Sequence, residues 1–542
     1  MQIRTTIIRS VFWILILLAV FAIAGLVYEL VGLLQSMPIR GLDSSMLRLI
    51  GFMAANLLLT AVLACVGVIY LWGRFSSRLP DLQGWHLQRP SSEFKAAAAD
   101  ASFNLDRYLQ KEDQVYRELD ELCQGPWARD RPTGAYNRFH PNSVCNPRKL
   151  LDRNWNRSLV QRATNPKGGV LLLHGLSDSP YSLRAIGERM HREGYTVIWL
   201  RVPGHGTCPN ALANVSWKDW TAAVKIAAQG LAEMLPPKVP LILAGYSNGG
   251  ALSLQYALST LEDESLPRVD SLVLFSPMIG INPMASITWL YHVVGLASGN
   301  KKSQWSNVSA EIDPYKYTSW PMNGSVQAWE MTQAIEQKLA ALEKAHRMDE
   351  LPPVLAFQSV VDSTVETSKL INVLFNRLVS KANQLFLFDI NRVDRLSDLL
   401  NRSFEKSVFP NLKNADVSFQ LSVLQNSGTE SQRVEVQTRE DASWNIEELQ
   451  LHWPSGIASL SHVAVPFPPE DPVYGTREAH LSGLLPLGSL SLLTEPSLLM
   501  IPNSLFTRCR HNPFYSFMED RIVRWLENNK AEPLIKPKPL RT

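Results

Sequence analysis

The stretch Leu241-Ile242-Leu243-Ala244-Gly245-Tyr246-Ser247-Asn248-Gly249-Gly250 begins as an apolar run and stops at a serine fenced by glycines. Such a run reads as a buried strand, and its abrupt end reads as a tight turn into a helix. A serine hydroxyl attacks a carbonyl only when it projects from such a turn toward a base and a substrate. Gly245, Gly249 and Gly250 leave room for that turn and let the helix pack closely on the strand. The pattern G-x-S-x-G also occurs at ordinary strand ends, so its companions along the chain decide its meaning.

Those companions are regular. From Gly169 onward short β-rich runs alternate with helical segments: Gly169–His174, Tyr195–Arg201, Val239–Gly245, Asp270–Phe275, Pro353–Gln358 and Gln384–Asp389. The alternation predicts parallel strands joined by crossover helices, a doubly wound α/β sheet whose reactive residues lie just past the strand ends. The first run ends in His174-Gly175-Leu176-Ser177-Asp178-Ser179-Pro180, the second in Arg201-Val202-Pro203-Gly204-His205-Gly206-Thr207. The glycine after His174 lets the Leu176 amide face a developing oxyanion, with the Asn248 amide as second donor. His174 and His205 precede the serine in glycine-rich turns and read as holders of loop geometry rather than as proton carriers.

HGLSDSP, RVPGHGT and GYSNGG, in this order and spacing, resemble the α/β-hydrolase superfamily, specifically its serine aminopeptidase, lysophospholipase and monoglyceride lipase group. The resemblance covers roughly residues 166–530. It implies a mostly parallel sheet with helices on both faces, a cap, and a Ser-His-Asp triad needing no metal or organic cofactor. In that family an acid follows the strand after the cap, and Val354–Val365 fits, with Asp362 behind an apolar run. An Asp before Ser and Thr also suits a helix cap, which is the plainer reading of the same residue.

The base must then be a histidine beyond Asp362: His452, His462, His480 or His511. His462, in Ala458-Ser459-Leu460-Ser461-His462-Val463-Ala464, resembles the segment that carries the base in related esterases. His511, in Cys509-Arg510-His511-Asn512-Pro513-Phe514 before a terminal helix 515–528, is its rival, with Ser497–Ile501 as a closing strand. Against the family pattern, about seventy residues separate Asp389 from His462, too many for a plain loop. Val417–Gln425 and Arg433–Thr438 alternate apolar and polar residues around Ser427-Gly428-Thr429 and predict a β-hairpin there.

Outside this region the chain begins with two apolar runs. Val11–Leu34 carries Glu29 as its only charge and Leu49–Trp72 carries none. Each is long enough to cross a bilayer as a helix, and Arg4, Arg9, Arg74 and Arg78 at the outer flanks, against Arg40 and Arg48 in or near the connection, slightly favour a hairpin with both ends in the cytoplasm. Residues 1–24 read alternatively as a cleaved signal peptide, with the second run as a stop-transfer helix and the same compartment for the remainder.

The 542 residues thus divide into a membrane anchor with two transmembrane helices (1–75), a helical connector (76–165), a hydrolase domain (166–534, with a cap at 277–351 and an insertion at 391–455) and a tail (535–542). Aromatic and apolar cap residues, among them Met278, Ile279, Trp289, Tyr291, Trp305 and Trp320, are candidates for an acyl pocket. A formal charge of +3 over balanced acids and bases offers nothing to nucleic acid. The 5 cysteines show no metal spacing, and free thiols are expected unless an oxidising compartment pairs Cys123 with Cys145. The expected partners are a lipid bilayer and a small amphiphilic ester. A peptide bond as substrate, and a noncatalytic scaffold on the same fold, remain open at this point.

Overall fold

Along each central strand, alternate side chains enter opposite cores. Leu171, Leu173, Leu241, Leu243, Leu272 and Leu274 join one; Val170, Leu172, Ile242, Ala244, Val273 and Phe275 join the other. A sheet apolar on both faces must be covered by helices on both, as parallel sheets are. The computed structural model describes residues 51–529, apart from 52, 55, 58, 61–66, 68–69, 101, 128–133, 281–299, 363, 394–416, 441–442 and 492–506.

The strands are β1 (Leu159–Gln161), β2 (Gly169–Leu173), β3 (Thr196–Leu200), β4 (Leu241–Tyr246), β5 (Ser271–Phe275), β6 (Trp305–Asn307), β7 (Trp320–Pro321), β8 (Val354–Ser359), β9 (Gln384–Phe388), β10 (Gln420–Asn426), β11 (Arg433–Glu440), β12 (Ser443–His452), β13 (Ile457–Leu460), β14 (Ser489–Ser491) and β15 (Thr507–Cys509). The main sheet is 10-stranded, in the order β1-β3-β2-β4-β5-β8-β9-β10-β11-β12. From β3 through β10 every neighbouring pair is parallel. Antiparallel pairs close both edges. The longer helices are α1 (Leu105–Gln124), α2 (Arg184–Arg192), α3 (Trp217–Glu233), α4 (Asn248–Thr260), α5 (Met322–Lys344) and α6 (Tyr515–Asn528). Residues of α3, α4 and α5 join the first core, those of α2 and α6 the second.

All the predicted parallel strands are present, and the insertion does more than form a hairpin. Its first strand, β10, adds to β9 in parallel and prolongs the main sheet. Then β11 and β12 continue it as a meander. The ends of the insertion meet: Asn391 N donates to Ala458 O at 2.8 Å and Asn391 Nδ2 to Ile457 O at 3.0 Å. The chain therefore leaves and re-enters at the same place beside the end of β9.

Of the predicted cap, α5 packs on the main core, with Met331, Ile335 and Leu339 buried there. It serves as the crossover helix into β8. Segment 300–321 instead reaches the loops at the carboxyl ends of the strands. Trp289 and Tyr291 lie outside the described residues. Trp305 packs edge-on against His86, 5.0 Å between centroids, as a structural contact with the connector.

The predicted pair of transmembrane helices has no counterpart in the described structure. Among the described residues, no helix is long and apolar enough to cross a membrane. Val11–Leu34 lies outside them, and Leu49–Trp72 is described only in part. At its described end Trp72 Nε1 donates to Ser303 O at 3.1 Å, joining this stretch to segment 300–321. The tail at 535–542 and the closing strand at 497–501 also fall outside the described residues. Among the described residues Cys123, Cys145, Cys208 and Cys509 form no disulfide.

The connector is fastened to the sheet by a buried charge cluster invisible in the sequence pattern. Arg201, just past β3, is 1 % exposed and donates to Glu93 at 2.9 and 3.0 Å and to Glu112 Oε2 at 3.1 Å. Burial is the largest single influence and pulls the guanidinium pKa down, but the surrounding groups, the two carboxylates foremost, together outweigh it and hold the pKa raised. A buried ion pair adds little net stability, but removing one partner leaves an uncompensated buried charge. The substitution Arg201→Met is expected to lower the unfolding free energy by about 3–5 kcal/mol. Urea denaturation would read this, and an unchanged midpoint at unchanged slope would show the cluster to be energetically idle.

Candidate functional site

Between β4 and α4 the backbone makes one abrupt turn, and Ser247 sits on it with φ 53° and ψ −115°. A side chain in this region is strained, so the surroundings must hold it. Ser247 N donates to Phe275 O at 2.9 Å, while Ser247 O accepts from Gly250 N at 3.0 Å and Met278 N at 2.9 Å. A Cβ on Gly249 would collide with the carbonyl oxygens of Leu173 and His174, and one on Gly245 with the Gly249 backbone. The end of β2 therefore lies directly against the first turn of α4. Leu176, in the turn after β2, and Asn248, the first residue of α4, are both buried. The first amides of a helix have no intrahelical acceptor, which leaves the Asn248 N–H available.

His462 opens a short 3-10 turn immediately after β13. Its Nδ1 lies 2.7 Å from Asp362 Oδ2 and its Nε2 lies 3.0 Å from Ser247 Oγ. A carboxylate only accepts, so Nδ1–H donates to Asp362 and Nε2 is left to accept the Ser247 hydroxyl proton. Ser247, His462 and Asp362 are 6, 7 and 6 % exposed. The Tyr246 ring packs against the imidazole, 5.4 Å between centroids. Asp362 Oδ1 accepts from Thr364 N and Val365 N, both at 2.9 Å, in the turn that its sequence also suggested as a helix cap.

The other histidines go elsewhere. His511 is buried beside the 467–474 segment, where its neighbour Asn512 donates its amide to Phe467 O at 2.7 Å. No bond joins His511 to Ser247 or Asp362 among the described residues. His452 is exposed at the end of β12. His480 Nε2 bonds Leu485 O at 2.7 Å. His174 Nε2 accepts Val202 N at 3.0 Å while Nδ1–H reaches Gly175 O at 2.9 Å, which ties the two glycine-rich loops together. His205 packs edge-on against it and donates from Nδ1 to Pro203 O.

Segment 309–320 pins these loops from outside. Tyr317 N donates to Ser177 O at 2.9 Å, and its hydroxyl accepts Thr207 N at 2.9 Å and donates to Gly204 O at 3.0 Å. Lys316 Nζ pairs with Asp178 Oδ1 at 2.7 Å. Sequence reading missed Lys316, Tyr317 and Gln358, which donates to Asp362. A polar amide inside the apolar run of β8 was the one available signal, because buried polar groups are nearly always bonded to something. A cavity of about 90 Å³ between α1 and the 138–154 region reaches Gly206 and Thr207 but is not lined by Ser247, His462 or Asp362. Among the described residues no group of His, Cys, Asp and Glu could hold a metal ion.

Residues 164–389 match the family described as serine aminopeptidase, S33. A thermostable monoacylglycerol lipase of Bacillus sp. (strain H-257) is 35 % identical over 95 residues, 18 % of this chain and 37 % of that protein. Phospholipase YtpA of Bacillus subtilis (strain 168) is 23 % identical over 121 residues, 22 % of this chain and 44 % of its own. The chain thus spans less than half the length of these curated relatives. Among solved structures, the monoacylglycerol lipase of Paleococcus ferrophilus aligns with 43 % of this chain and 88 % of its own at 20 % identity and a TM-score of 0.33. A monoglyceride lipase variant of Saccharomyces cerevisiae does so over 43 and 82 % at 14 % identity and a TM-score of 0.34.

Burial pushes His205 and His86 down to about 4 and holds His174 well below the usual histidine range. Each is neutral when folded, whereas the unfolded chain binds a proton below about pH 6.5. Stability from these groups is therefore complete above pH 6.5 and lost as pH falls toward 4, by roughly 3 kcal/mol for His205 alone. Urea midpoints measured from pH 7 to pH 4 should fall, and His205→Gln should flatten the slope. A slope unchanged by that substitution would exclude His205 as a source.

Proposed function

We propose that this chain, whose residues 164–389 match the serine aminopeptidase, S33 family, is a membrane-anchored serine hydrolase of the α/β-hydrolase superfamily that cleaves carboxylic esters of lipid-like amphiphiles. One observation carries the reading: Asp362, His462 and Ser247 form an unbroken hydrogen-bonded chain of 2.7 and 3.0 Å in an almost fully buried setting.

Ser247 Oγ attacks the ester carbonyl carbon while its proton passes to His462 Nε2. Asp362 holds the imidazole in the tautomer that can accept, and stabilises the imidazolium that forms. The carbonyl oxygen becomes an oxyanion facing the amides of Leu176 and Asn248, the latter at the positive end of α4. Collapse breaks the bond to the alcohol, which leaves with the proton from His462. Water then gives its proton to His462 and its oxygen to the acyl carbon, and the acid departs as Ser247 recovers its proton.

Two considerations support an amphiphilic ester over a soluble one. The matched relatives are named for monoacylglycerol and phospholipid cleavage. The apolar runs Val11–Leu34 and Leu49–Trp72 have the length and composition of spanning helices, and in the described part of the second Met53, Leu57, Tyr70 and Leu71 are exposed. We assign both runs to the bilayer and the remaining chain to the cytoplasmic side, in line with the flanking arginines.

A fluorophosphonate probe should label the native protein and fail to label Ser247→Ala. His462→Ala should slow labelling by about 10³-fold or more, whereas His511→Ala should leave it within about twofold. Absence of labelling in the native protein would remove the enzyme assignment. For the substrate, the full chain in vesicles should hydrolyse a monoacylglycerol faster than a short soluble ester or a dipeptide. The reverse order would sink the lipid reading. Proteolysis of sealed vesicles only from the outer face would overturn the cytoplasmic placement.

A further inference from the structure

Gln358 is the one amide in β8, and its side chain is 0 % exposed among apolar neighbours. Its Nε2 lies 3.1 Å from Asp362 Oδ2, 3.0 Å from Val365 O and 3.3 Å from Thr367 Oγ1. The Thr367 hydroxyl donates to Ser359 O, so toward Gln358 it can only accept. Every neighbour of that nitrogen is therefore an acceptor. The amide orientation follows: turning it over would set a carbonyl oxygen against a carboxylate and a second carbonyl. Its Oε1 is buried with no partner among the described residues. An unpaired buried acceptor is a standing cost, and the structure carries it in exchange for a donor at Asp362.

Asp362 Oδ2 is also the oxygen that receives Nδ1–H of His462. Its other oxygen is held by two backbone amides. We infer that Gln358 is a positioning residue for the proton-transfer site, fixing the Asp362 carboxylate and sharing the charge of the oxygen that faces His462. The inference rests on the serine-hydrolase reading above. Two effects follow from the geometry. Without the amide donor the carboxylate loses one of its restraints, so the imidazole is held less well toward Ser247. The negative charge on Oδ2, no longer shared, acts more strongly on His462 and stabilises its protonated form.

A wholly structural role would be to tie down the 362–367 turn through Val365 O. Such a role lowers activity and stability together and leaves the pH dependence where it was. The two roles are therefore separated by a pH profile.

The test uses the full chain and a soluble chromogenic ester, with Gln358→Met, which keeps length without a donor, and the isosteric Gln358→Glu. For Q358M we expect kcat lower by about tenfold with KM within about twofold, and an acid limb of kcat/KM moved about 0.5 pH unit upward. For Q358E the added carboxyl shares a proton with Asp362. While protonated it donates to Oδ2 as the amide did; once ionised it repels. The activity of Q358E relative to the native protein should accordingly rise as pH falls. Thermal melting followed by circular dichroism reports folding of each variant.

Unmoved acid limbs in both variants overturn the inference, whatever the loss in kcat. If Q358M does not fold, the Q358E profile decides alone, and a pH-independent ratio to the native protein overturns the inference. Labelling of the native protein by the fluorophosphonate, lost in Ser247→Ala, would leave the hydrolase reading standing in either case. Failure of that labelling would instead remove the reading on which the inference rests.

Discussion

The approach of Gly249 to the carbonyl oxygens of Leu173 and His174 governs the geometry around the turn at Ser247. Only a residue without a Cβ allows α4 to begin directly against the end of β2. That contact forces the chain to turn sharply at Ser247, and the strained backbone there is held by bonds from β5 and the segment behind it. The same contact sets the end of β2, at Leu173 and His174, against the first turn of α4. The turn at Ser247 and the end of β2 thus lie together because two backbones touch.

The hydrogen-bonded chain Asp362–His462–Ser247 depends on a second meeting, between ends of chain that are distant in sequence. Asp362 follows β8 and His462 follows β13, with the meander β10–β12 between them. The insertion disturbs neither, because Asn391 bonds to Ile457 and Ala458 and closes its two ends on each other. Topologically His462 still follows β9. The inserted strands prolong the sheet at its edge, with Leu424, Val434 and Val436 sharing the core of α6, and the site is left in place.

Around both meetings lie buried polar clusters that position loops more than they add net stability. Arg201 with Glu93 and Glu112 fastens the connector to the loop after β3. Lys316 and Tyr317 hold the loops carrying Ser177 and Gly204. Groups of this kind cost desolvation and need several partners at once, so they specify one arrangement and tolerate few others. Trp72 joins segment 300–321 through a bond from its Nε1 to Ser303 O. The stretch assigned to the membrane is in this way linked to the segment that holds those loops.

What was legible in the sequence has local causes. The β4 strand, the turn at Ser247 and the alternation of strands and crossover helices follow from apolar runs and from glycines that only one backbone path can use. Asp362, behind an apolar strand, was singled out by the family resemblance, since the residues themselves suited a helix cap equally well. The choice of His462 over His511 was less determinate, since a resemblance favoured it but the intervening chain obscured the path. That choice depends on where the insertion returns, which is settled by hydrogen bonds between residues 391 and 457–458. The parallel addition of β10 to β9, the packing of α5 on the core and the ion cluster at Arg201 were beyond sequence reading, because each is a contact between segments that carry no pattern of their own. Gln358 lies between the two cases: its polarity within β8 is visible in the sequence, but its partner at Asp362 exists only once strand and turn are folded together. The sequence by itself marked the turn at Ser247, through an apolar run that stops among glycines within ten residues. Only the tertiary structure decided what faces it, through packing that joins residues hundreds of positions apart.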